Sequence, residues 1–196
     1  MFNDRYGLTD AVIDYIKNNT RRIEGGEQFQ RAATSAEDFT YEEATGCIVM
    51  CCQGIEIFRH KCRYKVGEVV AVAQSYYHAF SPRCDIPVYG ADGTPGWRNK
   101  LFVRADLMPH QIRITGIKCE QLQSISHDDC FREGIIESWY ESTDTTTYGF
   151  VDEKKGTAVE FDTPRKAFAA LIDKVSGRGT WDRNPWVVVY EFELVK

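Results

Sequence analysis

The chain has 196 residues, 43% of them hydrophobic, and a formal net charge of −5. That length suits one domain of good size, and the composition supplies a core and excludes global disorder. The acidic balance excludes a protein that holds nucleic acid on a broad basic surface, so any such binding must be local.

The opening residues, MFNDRYGLTD, carry Asp4 and Asp10 and no apolar run, so no signal peptide is expected. No stretch approaches the roughly 18 apolar residues of a membrane span. A cytoplasmic protein with no membrane partner is the expectation.

Leu8, Val12, Ile13 and Ile16 recur at helical spacing and predict a helix over 8–17, ending near Lys17–Asn19. Cations at a helix end interact with its macrodipole by about 0.3–1 kcal/mol. On that basis Lys17→Ala should leave stability nearly unchanged. Residues 24–45 are polar and without a clear period, which predicts a loop insertion with at most one short helix. CIVMCC, Gln53-Gly54 and IEIFRHKCRY then read as a hairpin, and EVVAVAQSYY as another strand.

Residues 81–99 are rich in proline and glycine and form a second insertion. LFVRADL and HQIRITGIKCEQL follow as a strand pair. Ser126-His-Asp-Asp129 has capping-box form and starts a short helix that Gly134 stops. Residues 138–160 predict a third insertion, either a loop or a pair of weak strands. Thr163-Pro164 opens a helix with Phe168, Leu171, Ile172 and Val175 on one face. In PWVVVYEFELV, Tyr190, Phe192 and Leu194 alternate with glutamates as in a half-buried strand. About five or six strands and three helices predict a single α+β domain over 1–196, built around a small mixed β-barrel.

The seven cysteines lack repeated C-x-x-C spacing. Cys47, Val49 and Cys51 would share one strand face, so buried thiols are expected there and no metal site. The four histidines also lack ligand spacing. No cofactor is implied. Trp139, Trp181 and Trp186 read as packing residues. Arg98, Lys100, Arg104, Arg113 and Lys118, with Trp97, Phe102, Tyr76 and Tyr77 nearby, could position phosphates and stack unpaired bases.

Several segments together resemble the ASCH-domain family of the PUA-like superfamily, in particular its long phage and prophage members. They are FNDRYGLTDAVIDYIKNNTRRI, KVGEVVAVAQSY, GWRNKLFVRADLMPHQIRITGIKCEQLQSISHDDCFREGI and AFAALIDKVSGRGTWDRNPWVVVYEFELV. The likeness covers about two thirds of the chain in the family's order. It implies a PUA-like mixed barrel with a cleft, and RNA or a modified nucleoside as partner. It also implies an alternative, amide hydrolysis of N4-acetylcytidine. Lys17, Thr20 and Arg22 then fall on the family's K-x-x-T-x-R pattern, with Glu133 as its glutamate. That makes Lys17, Thr20 and Glu133 the catalytic candidates, and Arg21, Arg22, Tyr76, Trp97, Lys100 and Arg113 the ligand-binding ones. Three positions depart from the pattern: Asn18 follows the lysine, Tyr15 stands where a glycine is usual, and Ala73–Tyr77 replaces R-E-T/S-W. A further alternative follows from these losses, a non-catalytic phage protein-interaction module.

Overall fold

The computed structural model describes residues 4–80 and 95–195. In chain order they form α1 (Leu8–Ile13), β1 (Asn19–Arg22), α2 (Gly26–Ser35), β2 (Asp38–Glu42), β3 (Cys47–Cys52) and β4 (Ile55–Lys61). There follow β5 (Val69–Ala71), α3 (Tyr76–Phe80), β6 (Gln111–Gln121), α4 (His127–Arg132) and β7 (Ile136–Tyr140). The chain ends with β8 (Thr145–Asp152), β9 (Thr157–Phe161), α5 (Pro164–Ser176), α6 (Thr180–Arg183) and β10 (Trp186–Leu194). Cys84 and most of the 81–99 insertion lie outside the described residues.

The ten strands make three antiparallel sheets among the described residues, ordered β1-β10-β6-β5, β2-β3-β4 and β7-β8-β9. The class is α+β, but none of the three sheets closes on itself. The reason lies between β4 and β5. There the amides of Arg63 and Val66 donate to the hydroxyls of Tyr190 and Tyr41, and that of Lys65 to the Glu68 carboxylate. Their hydrogen bonds go to side chains, so no ladder joins the two strands.

β10 is the centre of the molecule. Val187 and Val189 point to one side, into a core shared with Phe168, Leu171 and Ile172 of α5 and Phe150 of β8. Val188, Tyr190 and Phe192 point to the other, against Ile48 and Met50 of β3 and Phe29 of α2. This is the period-two alternation of a strand buried on both faces. Thr163 caps α5 by accepting from the Lys166 amide, and Ser126 caps α4 by accepting from Asp129.

Several elements differ from expectation. α1 stops at Ile13, and Tyr15 takes a left-handed φ of 61°. The 24–45 segment holds α2 and a strand, β2. Only Phe29 and Ala33 of α2 are buried, which leaves a faint helical period. Residues 138–160 carry most of a three-stranded sheet that lays Phe150 on α5. β5 is only three residues long, and Tyr76 and Tyr77 belong to α3. LFVRADL is a turn followed by a short 3-10 helix over Ala105–Leu107, because the Leu107 and Met108 amides bond within the segment. On β3 the residues turned to the core are Ile48 and Met50, with Cys47 buried but Val49 and Cys51 only half-buried. Burial pushes the Cys62 and Cys119 thiols up to about 12 and Cys130 to about 11, so these sulfurs stay protonated and unreactive at neutral pH. Trp181 packs edge-on to Phe168 and Trp186 against Phe39, whereas Trp139 is 60% exposed on β7.

Candidate functional site

β1 is an edge strand, paired with β10 on one side only. Alternation along it sends Asn19 and Arg21 to the α5 side and Thr20 and Arg22 to the other. A cleft of about 770 Å³ wraps this edge and is lined from both faces. One wall is apolar, with Leu8 of α1 and Phe168, Leu171, Ile172 and Val175 of α5. The polar part of the lining includes Lys17, Thr20, Arg21, Arg22, Arg63 and Glu133.

Local backbone geometry brings Lys17 and Glu133 together. After Tyr15 the chain doubles back, and the Ile16 and Lys17 amides both donate to the Ala11 carbonyl. The Asn18 amide then donates to the Arg132 carbonyl at the end of α4, 3.0 Å away. Glu133 is the last residue of that helical turn, and Gly134 leaves it with φ 100°. A Cβ on Gly134 would stand 3.2 Å from Leu8 and 3.7 Å from the Lys17 stem. Only glycine meets both the backbone angle and the close approach.

All three ammonium hydrogens of Lys17 are directed at protein acceptors. They meet Glu133 Oε2 at 2.6 Å, the Asn19 carbonyl at 2.7 Å and the Glu133 carbonyl at 2.9 Å. Arg21 binds the other Glu133 oxygen at 3.0 Å, Glu120 Oε1 at 2.7 Å and Asp129 Oδ2 at 2.9 Å. Its side chain is fully buried. Lys118 approaches Glu120 from the solvent side at 3.1 Å. Arg132 lies 3.9 Å from Asp129 Oδ1, so Lys17, Arg21, Lys118 and Arg132 meet the three carboxylates.

Burial draws the Lys17 ammonium below its ordinary value, against the pull of Glu133. Burial also acts against the Arg21 charge, but Glu133 and Glu120 outweigh it and hold the guanidinium above its ordinary value. For Asp129, burial favours the acid form, yet Arg21 and Lys118 together hold it below its usual 3.8. The unfolded chain therefore binds more protons than the folded one in that range. The stabilisation is complete above pH 3.8 and lost as pH falls toward the folded-state value. Urea titrations from pH 5 to pH 2 should show this loss in the wild type and a smaller one in Asp129→Asn.

Lys17 is therefore not a helix-end lysine facing solvent. It is 3% exposed and seals the edge-strand carbonyl of Asn19. Its removal will cost far more than the macrodipole argument allows. Arg21, expected to meet a ligand, is consumed by three carboxylates.

Thr20 and Arg22 are placed otherwise. Both also line a recess of about 30 Å³ beside Tyr64 and Tyr190, contiguous with the cleft. The Arg22 Nε is out of solvent contact and has no hydrogen-bond partner. Lys100 reaches the cleft and donates to Thr9 Oγ1 at 2.9 Å. The other expected contacts lie outside the cleft lining. Tyr76 accepts from the Arg104 amide, Trp97 sits beside Tyr77, and Arg113 pairs with Glu193 at 2.9 Å. Arg104 is likewise paired, with Asp106.

Arg63 and Glu24 belong to the cleft and carry no motif in the sequence. Glu24 Oε2 accepts from the Tyr190 hydroxyl at 2.9 Å and lies 3.4 Å from His60 Nε2, while its Oε1 is buried without a partner. Glu24 has one sequence signal, spacing: Thr20, Arg22 and Glu24 alternate, as residues do on one side of an extended chain.

No protein-family model, curated protein or solved structure matches the chain.

Proposed function

We propose that the chain is an ASCH-type, PUA-like domain whose cleft binds RNA or a modified nucleoside. On this reading the β1-β10-β6-β5 and β2-β3-β4 sheets are the walls of an opened barrel around the Tyr190 core. The observation that carries the reading is the cleft at the β1 edge. Its lining includes Lys17, Thr20, Arg22 and Glu133, the residues of the K-x-x-T-x-R and E-G-I segments, together with apolar residues of α5. Such a pairing suits a nucleoside: the base lies along Leu171 and Ile172, and the polar groups of its base or sugar meet the β1 edge. The buried Lys17–Glu133–Arg21 cluster fixes that edge, and Thr20 and Arg22 remain to make contacts.

Val175 lies on the cleft rim and is 40% exposed, so it can be enlarged without disturbing the core. Val175→Trp should weaken binding of a short single-stranded RNA or of N4-acetylcytidine at least tenfold and leave the circular dichroism unchanged. Duplex DNA should bind less well than single-stranded RNA in either protein. Unchanged affinity in Val175→Trp would remove the cleft as the binding site.

A second reading, hydrolysis of N4-acetylcytidine to cytidine and acetate, is favoured by one contact. The 2.6 Å Lys17–Glu133 pair is a proton-transfer distance and shares the cleft with the Thr20 hydroxyl. Release of acetate by the wild type and its loss in Thr20→Val would support it. No turnover by the wild type would leave the binding reading alone.

A further inference from the structure

We propose that Arg22 and Arg63 form a phosphate subsite in this cleft, so that its ligand is a phosphorylated nucleoside or an RNA backbone segment, not a free nucleoside. The inference rests on the binding reading above and goes beyond it. Among the cations of the cleft, Lys17 and Arg21 are matched by Glu133, Glu120 and Asp129, and Arg5 by Asp152 at 3.2 Å. Lys100 is bound to Thr9. Arg22 and Arg63 face the same cleft with no carboxylate against either guanidinium among the described residues. The Nε of Arg22 is a buried donor without an acceptor, a state that costs free energy until something fills it.

Their placement fits one anion. Thr20 pairs with Tyr190 in the sheet, and the Tyr190 hydroxyl accepts from the Arg63 amide at 2.9 Å, so the Arg63 backbone is anchored beside the Thr20–Arg22 side of the edge strand. A guanidinium offers planar paired donors that match phosphate oxygens. Besides Glu133, the carboxylate in the cleft lining is Glu24. Its Oε2 is engaged by Tyr190 and His60, and its unpartnered Oε1 is turned to no protein donor. That oxygen supplies an acceptor for a sugar hydroxyl or base amine beside the phosphate. Two arginines against one engaged carboxylate leave a local positive charge in a protein of net charge −5.

Isothermal titration with cytidine, cytidine 5′-monophosphate, the dinucleotide CpC and inorganic phosphate tests this. At least one phosphorylated ligand should bind tenfold or more tighter than cytidine, and the advantage should shrink with added salt. Preference for the monophosphate would identify a nucleotide ligand, and preference for CpC an RNA backbone. Arg22→Gln and Arg63→Gln should each remove most of that advantage. Among the described residues neither guanidinium has a hydrogen-bond or ion-pair partner, so the variants should fold as the wild type does. Equal binding of cytidine and its phosphorylated forms would overturn the subsite and leave the cleft reading standing. A phosphate advantage that survives both substitutions would also overturn it. Binding of none of the probes would overturn both.

Discussion

Arg21→Met is expected to cost about 3–5 kcal/mol of stability. The guanidinium is fully buried and touches Glu133, Glu120 and Asp129 at 2.7–3.0 Å. Methionine fills similar volume but leaves three converging carboxylates with Lys17, Lys118 and the more distant Arg132. Removing one partner from a buried ionic cluster exposes the full desolvation penalty of the others. In a protein of this size the loss lowers the melting temperature by roughly 10 °C. Arg21→Lys should recover only part, since a single ammonium cannot span three carboxylates. Urea unfolding with a fixed slope is the measurement. A loss under 1 kcal/mol would mean that the cluster is a surface arrangement.

Lys17→Met should cost nearly as much, about 3 kcal/mol, for a related reason. Its ammonium bonds Glu133 Oε2 at 2.6 Å and also binds two backbone carbonyls. The lost charge can be compensated chemically. Glu133→Gln removes the stranded negative charge while keeping an oxygen for Arg21. The double variant Lys17→Met/Glu133→Gln should therefore be more stable than Lys17→Met alone, and the coupling should exceed 1 kcal/mol. Additive losses would show that the two side chains do not share a charge-compensated pair. A cost below 1 kcal/mol for Lys17→Met would return it to an ordinary helix-end lysine.

Where local chemistry decides the structure, the sequence was readable. Thr163-Pro164 starts α5, Ser126 caps α4, and Gln53-Gly54 turns the β3–β4 hairpin with both residues at positive φ. The alternation in PWVVVYEFELV marks β10, and Phe168, Leu171 and Ile172 of α5 do pack against it. The segments missed owe their form to partners far away in the chain. DFTYE becomes β2 because its backbone pairs with β3, although no residue of it is fully buried. For TTTYGFVD, threonine-rich at its start, the sequence left a loop or weak strands open, and pairing with both β7 and β9 makes it a strand.

The candidate site divides in the same way. The spacing of Lys17, Thr20 and Arg22 is local and could be read. That Asp129, Glu120 and Glu133 would converge on Arg21 could not. Those carboxylates sit at separations of 99 to 112 residues and are brought together by the β10–β6 ladder and the α4 turn. The family pattern marks Lys17 as a catalytic candidate and Arg21 as a ligand contact; it does not show that both are buried and bonded to carboxylates. Arg63 and Glu24 went unnoticed because nothing local distinguishes a cation after β4 or a glutamate after β1.

The Arg22 Nε–H gives an individual resonance in a nitrogen–proton correlation spectrum, and it is the buried donor without an acceptor in the cleft. Titrating cytidine 5′-monophosphate or a short single-stranded RNA should move that signal, together with the amides of Thr20, Arg22, Arg63 and Val175. The signals of Trp97, Tyr76 and Arg113 should stay in place. Shifts confined to those three residues, or an Arg22 signal unmoved while ligand binds, would contradict the account.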